Sequence, residues 1–196
     1  MKVFVCAGMG LAKNEKINSQ AVELGKMLAN SQALYVQGGS DEGLMGLTLK
    51  EFLKYSKNVM FVIPSCYYDY DAPKLLKMVG AGNFKFMKVA TEAERLKVIK
   101  ACDKVIVLPG GTGTIEELLY CNETARAKEH SAEIYLVNID GYFDGLLKQI
   151  ATNIKEGLSK PSAIKFHIVG SVNEIELAPR KFDDFDDKMP KFDDFD

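Results

Sequence analysis

Apolar residues along this chain fall in short continuous runs separated by longer stretches of helical spacing. The short runs lie at 2–7, 33–37, 59–63, 84–89, 104–108 and 133–138, and their length and β-branched content predict strands. Between them, apolar positions recur every three to four residues at 18–30, 44–57, 92–101, 114–128 and 143–156, which predicts amphipathic helices. Strands apolar on both faces that alternate with helices imply a parallel sheet covered on both sides. The expected fold class is therefore α/β, a Rossmann-like doubly wound sheet whose ligands bind beyond the carboxyl ends of the strands. Residues 64–83 carry Cys66, Tyr67, Tyr68, Tyr70 and Pro73 and read as an irregular excursion or short helix over the sheet edge.

Residues 1–180 are expected to form one domain, and 181–196 an acidic, aromatic tail in which KFDDFD occurs twice, ten positions apart. Two copies are too few for a solenoid, and the composition cannot bury a core of its own. The plain reading of the tail is a solvated, disordered segment. The alternative is docking of Phe182, Phe185, Phe192 and Phe195 on a basic, apolar groove of a partner or neighbouring subunit.

Composition narrows the function. The chain has 196 residues and a formal net charge of −2, and the tail holds a local balance of −4, so the body is slightly positive. That is too little for a phosphate-tracking stripe, and no nucleic acid is expected as partner. No apolar stretch reaches membrane-spanning length, and the start MKVFVCAGMG runs into a glycine turn rather than a signal-peptide cleavage site. A cytoplasmic protein is expected. Four scattered cysteines without a CxxC pair, and only two histidines, His130 and His167, predict reduced thiols and no metal site.

Three glycine-bearing turns follow the first, second and fifth predicted strands: CAGMG, QGGSDEGLMG and LPGGTGTIEE. Gly8-Met9-Gly10 lacks the third glycine of a dinucleotide fingerprint, since Lys13 stands there. In the third turn, Gly110, Gly111, Thr112, Gly113 and Thr114 leave a strand and enter a helix. Backbone N–H groups can converge there, and the helix N-terminus favours an anion such as phosphate. A purely structural tight turn is the alternative. No Lys-Ser/Thr pair closes the loop, so it is not a nucleotide-hydrolysing P-loop. Glu116 and Glu117 follow; first-turn acids complement the helix dipole, but neighbours about 100° apart cannot both face one pocket.

At 109–117 the chain matches PGGxGTxxE, and Gly38-Gly39-Ser40-Asp41-Glu42-Gly43-Leu44-Met45-Gly46 matches GGGxxGLMG with serine at the third glycine. Residues 136–147 are similar to an LLNxxGYYxxLL segment. In these motifs the chain resembles the LOG family, the cytokinin riboside 5'-monophosphate phosphoribohydrolases often labelled lysine decarboxylases, over about residues 1–158. The resemblance implies a Rossmann-like homodimer or higher homo-oligomer that needs no cofactor. It further implies hydrolysis of the N-glycosidic bond of a nucleoside 5'-monophosphate, AMP or a cytokinin riboside 5'-monophosphate, to free base and ribose 5-phosphate. Glu117 would be the catalytic carboxylate. Gly8, Gly38, Gly39, Gly43, Met45, Gly110, Gly111, Thr112, Gly113, Thr114 and Glu116 would bind substrate.

The family's arginine lies in MHxRK, whereas this chain reads MKVATEAERL at 87–96. An ungapped count from Asp103 puts Glu94 at that place, and a one-residue shift restores Arg95, taken as the catalytic partner. The first turn offers Ala7-Gly8-Met9-Gly10 where the family has a serine. These departures motivate an alternative, a non-catalytic nucleotide-binding or carrier protein on the same fold. Amino-acid decarboxylation is rejected, because no Schiff-base lysine with pyridine and phosphate partners is recognisable.

Overall fold

A computed structural model describes residues 1–177; the tail at 181–196, and the expectations attached to it, lie outside the described residues. The strands are β1 (Lys2–Cys6), β2 (Leu34–Gln37), β3 (Val59–Pro64), β4 (Phe84–Val89), β5 (Lys104–Val107), β6 (Glu133–Val137) and β7 (Phe166–Val169). The helices are α1 (Glu15–Asn30), α2 (Gly43–Phe52), α3 (Ser65–Val79), α4 (Glu92–Ile99), α5 (Thr112–Arg126) and α6 (Asp144–Lys155). All pairings are parallel, in the order β4-β3-β2-β1-β5-β6-β7. The chain thus winds outward from β1 to one edge, returns through α4 to β5 beside β1, and winds to the other edge. That reversal is the switch point of a doubly wound α/β sheet, where a crevice opens at the strand ends.

The strands are apolar on both faces because each face meets a helical layer. Val3 and Val5 of β1 pack with Tyr35, Phe61 and Ile63 under α1, α2 and α3. Phe4 and Cys6, on alternate positions, pack with Val36, Val105, Val107 and Leu136 under α4, α5 and α6. The α1–α2 contact depends on Gly25, where an added Cβ would stand 2.4 Å from the Thr48 carbonyl oxygen and 3.0 Å from Glu51 Cβ. Gly25→Ala is expected to cost about 2 kcal/mol, the upper end of overpacking penalties less the gain in helix propensity. Thermal unfolding measures this, and turnover per folded molecule should not change.

Two elements differ from the sequence expectation. Residues 65–79 form a full helix across Pro73 rather than a loop or short helix, and that helix buries only Leu75 and Val79, so it carries no apolar stripe to recognise. β7 was not anticipated: four residues, FHIV, with three of them half-buried at the sheet edge, give neither length nor alternation. Among the described residues no helix is long and apolar enough to cross a membrane.

Candidate active site

β2, β1 and β5 are neighbours, so the three glycine turns meet at their carboxyl ends. Backbone hydrogen bonds join them: Gly8 N–H donates to the Pro109 carbonyl at 3.0 Å, and Leu44 N–H to the Gly8 carbonyl at 2.9 Å. A Cβ on Gly8 would lie 3.2 Å from Gly110 Cα, so the first and third turns cross at backbone contact. Gly43 adopts φ +57° and backs directly onto Met9, whose carbonyl carbon would be 2.2 Å from an added Cβ. Within the second turn the Gln37 side-chain oxygen accepts from Gly39 N–H at 2.7 Å and Ser40 N–H at 2.9 Å. From outside, the Tyr142 hydroxyl donates to the Gly110 carbonyl at 2.9 Å.

A cavity of 250 Å³ opens between these turns. Val5 and Ala7 line it from β1 and its end, Met9 and Met45 are further apolar lining residues, and Gly111, Thr112, Gly113 and Thr114 contribute the start of α5. The first three residues of α5 carry N–H groups for which the helix has no acceptor, and no side chain caps this end, so the cavity meets the positive pole of α5. Glu117 and Arg95 complete the lining. A larger groove of 370 Å³ between α3 and β4 lies at the sheet edge and brings together no set of charged groups.

Glu117 is 7% exposed and its carboxylate lies 3.1 Å from Arg95 Nη2. Arg95 Nε in turn lies 2.8 Å from Glu92, off the N–H axis, so this second pairing is ionic rather than a hydrogen bond. Burial holds the Glu117 pKa above the ordinary carboxylate value, against the lowering influence of Arg95 and of the Cys6 thiol beside it. Cys6 itself is buried with its pKa driven well up, chiefly by desolvation and then by Glu117, so it stays a neutral thiol and not a nucleophile.

The position of Arg95 has a local cause. Thr91 caps α4 by accepting from Glu94 N–H at 3.3 Å, and the Glu94 carboxylate reaches back to Ala90 N–H at 2.7 Å. Glu94 is thereby committed to the helix start, and the next residue points inward. Gly38 leaves the space that the guanidinium fills, since a Cβ there would be 2.9 Å from Arg95 Nη1.

Most sequence-derived candidates converge, in different capacities. Gly8, Met45, Gly111, Thr112, Gly113, Thr114, Glu117 and Arg95 line the cavity, while Gly38, Gly43 and Gly110 back onto lining residues and Gly39 packs on Ile63, away from it. Glu116 does not join them; it is exposed, on a helix face away from Glu117. α5 begins at Thr112, two residues earlier than periodicity suggests, so neither glutamate is in the first turn and the helix-dipole account of the pair no longer applies. Cys6 is a site neighbour that the sequence does not announce, since no spacing signal marks a strand residue lying against a helix carboxylate. Tyr67, Tyr68 and Tyr70 are on α3 and do not line the cavity. Among the described residues no group of three or more His, Cys, Asp or Glu could hold a metal ion.

Comparison with known proteins places these features. Residues 27–181 match the family model described as "Possible lysine decarboxylase". A cytokinin riboside 5'-monophosphate phosphoribohydrolase of Arabidopsis thaliana is 30% identical over 183 residues, 92% of this chain and 83% of its own length. A relative from Oryza sativa subsp. japonica, named "Probable cytokinin riboside 5'-monophosphate phosphoribohydrolase", is 32% identical over 162 residues; the match covers 83% of this chain but 64% of that relative. Among solved structures, the molybdenum cofactor carrier protein of Chlamydomonas reinhardtii aligns with a TM-score of 0.57 at 17% identity, over 88% of this chain and 91% of its own. That likeness concerns the fold alone.

Proposed function

The chain belongs to the LOG family, and from that premise we propose that it hydrolyses the N-glycosidic bond of a nucleoside 5'-monophosphate, with Glu117 as the catalytic carboxylate. The observation that carries this reading is the buried Glu117–Arg95 pair at 3.1 Å, in a cavity that also receives the uncapped N-terminus of α5.

The 5'-phosphate sits on the Gly111–Thr114 turn, where N–H groups, the helix pole and two threonine hydroxyls all favour an anion. The sugar then lies toward Glu117 and the base toward the methionines. Cleavage develops positive charge on the anomeric carbon, and a carboxylate stabilises that charge or takes a proton from the attacking water. Water adds to the anomeric carbon, the bond to the base nitrogen breaks, and the base leaves with a proton, giving ribose 5-phosphate. Arg95 holds the carboxylate in one orientation and favours its ionised form, against the larger opposing effect of burial. Because the Glu117 pKa is raised, the acid limb of the pH–rate profile is expected above the ordinary carboxylate range. No lysine is among the residues lining the cavity, so the chemistry of the family model's description, which needs a Schiff-base lysine, has no support here.

The test is incubation of the protein with AMP and, separately, with its N6-isopentenyl analogue, followed by chromatography of the products. Release of free base together with ribose 5-phosphate is the expected result, and the ratio of the two rates assigns the substrate. Ligand-dependent thermal stabilisation without any base release would replace this reading with a nucleotide-binding or carrier role.

A further inference from the structure

The groove between α3 and β4 is apolar, open and at the sheet edge. Tyr68, Ala72, Pro73, Leu76, Phe84 and Phe86 line it with Asp69. Its floor is an aromatic cluster: Phe86 stacks on Phe61 at 5.1 Å between centroids and meets Phe84 and Tyr68 edge-on at 5.7 and 6.3 Å. α3 leaves Tyr67, Tyr70 and Leu76 more than half exposed, and β4 pairs with β3 on one side only among the described residues. Three lysines stand at its rim, outside the lining. Lys74 sits over the Tyr70 ring at 3.6 Å and Lys88 over the Tyr68 ring at 4.7 Å, and Lys77 is exposed on α3, whereas Lys85, between Phe84 and Phe86 on β4, belongs to the other face of the sheet. On this side Lys74, Lys77 and Lys88 stand with Asp69 and Asp71; Glu42 lies 3.8 Å from Lys74 and Asp69 3.9 Å from Lys88.

We infer that this groove is the docking site for the chain's own 181–196 segment. Each KFDDFD copy places two phenylalanines three residues apart, Phe182 with Phe185 and Phe192 with Phe195, and surrounds them with aspartates. Paired aromatic anchors at that spacing suit an apolar groove, and the aspartates match the lysine rim. The reach is sufficient. Leu177 packs against the core layer beneath α1, α2 and α3, the same side of the sheet as the groove. The nineteen residues that follow it span up to about 60 Å when extended, about twice the ~29 Å from one edge of a seven-stranded sheet to the other. A second copy of the groove is the poorer occupant, because a two-fold contact would set the same three lysines against each other.

The experiment is amide hydrogen exchange over residues 65–89 in the full chain and in the variant Phe182→Ala/Phe185→Ala/Phe192→Ala/Phe195→Ala, at two protein concentrations. A segment that occupies the groove about nine-tenths of the time slows exchange of the amides it covers about tenfold. The substituted chain should therefore exchange roughly tenfold faster there, and no faster elsewhere. Equal exchange in the two proteins overturns the inference. So does protection that survives the substitutions but falls on dilution, which would assign the surface to a second copy.

Discussion

Glu117→Gln is expected to lower turnover by about 10²- to 10⁴-fold, the range for removing a positioned acid–base group, while leaving the protein at least as stable at neutral pH. The activity loss follows from the proposed role: an amide neither balances positive charge on the sugar nor accepts a proton from water. The stability expectation follows from burial. Glu117 is 7% exposed and its pKa is raised, with desolvation the largest cause. A carboxyl that keeps its proton to higher pH when folded than when unfolded loses stability as pH rises from its unfolded value through its folded one. At neutral pH the charged group is therefore a burden on the folded state, and the neutral amide removes it. Arg95 keeps its pairing with Glu92 in the variant. Thermal unfolding of the two proteins across pH should show the variant's advantage shrinking toward about pH 4, where the unfolded-state carboxyl also protonates. A variant that loses activity because it unfolds would contradict this account.

The second large effect is expected at Gly110. A Cβ there would stand 2.1 Å from Thr114 Oγ1, 2.7 Å from Thr114 Cβ and 2.9 Å from Gly8 N. Gly110→Ala must push the third turn off the first, stretching the Gly8–Pro109 hydrogen bond and tilting the start of α5 away from the cavity. A misplacement of about 1 Å can cost on the order of 10²-fold. The loss should fall mainly on KM, since the turn is assigned to the phosphate and Glu117 lies a further turn along the helix. Steady-state kinetics separates this from Glu117→Gln, which should act on kcat. An unchanged KM in Gly110→Ala would remove the phosphate from that turn.

The core of the fold was legible because both faces of the central strands are covered, which leaves continuous apolar runs such as Val3–Cys6 and Val105–Val107 that nothing else in the chain imitates. The edges were not. β7 is short and half-buried, and α3 turns most of its surface outward, so neither writes a period into the sequence. In the site, the glycine turns announced themselves through composition, but their division of labour did not. Gly38 and Gly43 are small because Arg95 and the Met9 backbone fill the space beside them, a contact between residues far apart in the chain. The place of Arg95 depended on whether Thr91 or a neighbour caps α4, a one-residue question that helix boundaries inferred from periodicity do not resolve. Cys6 carried no signal at all.

The sheet's polarity separates two kinds of sequence freedom. Every residue lining the cavity comes from the carboxyl-end side of the sheet: from β1 and the turn after it, from the starts of α2 and α5, and, for Arg95, from the start of α4 after β4. The connections at the opposite rim, such as 80–83 before β4 and 128–132 before β6, are exposed or half-buried and take no part in it. Insertions and length changes can accumulate at that rim without reaching the Glu117–Arg95 pair, whereas at the other a single methyl group is too large. Drift in this lineage should therefore be written on one end of the barrel-less sheet and erased from the other.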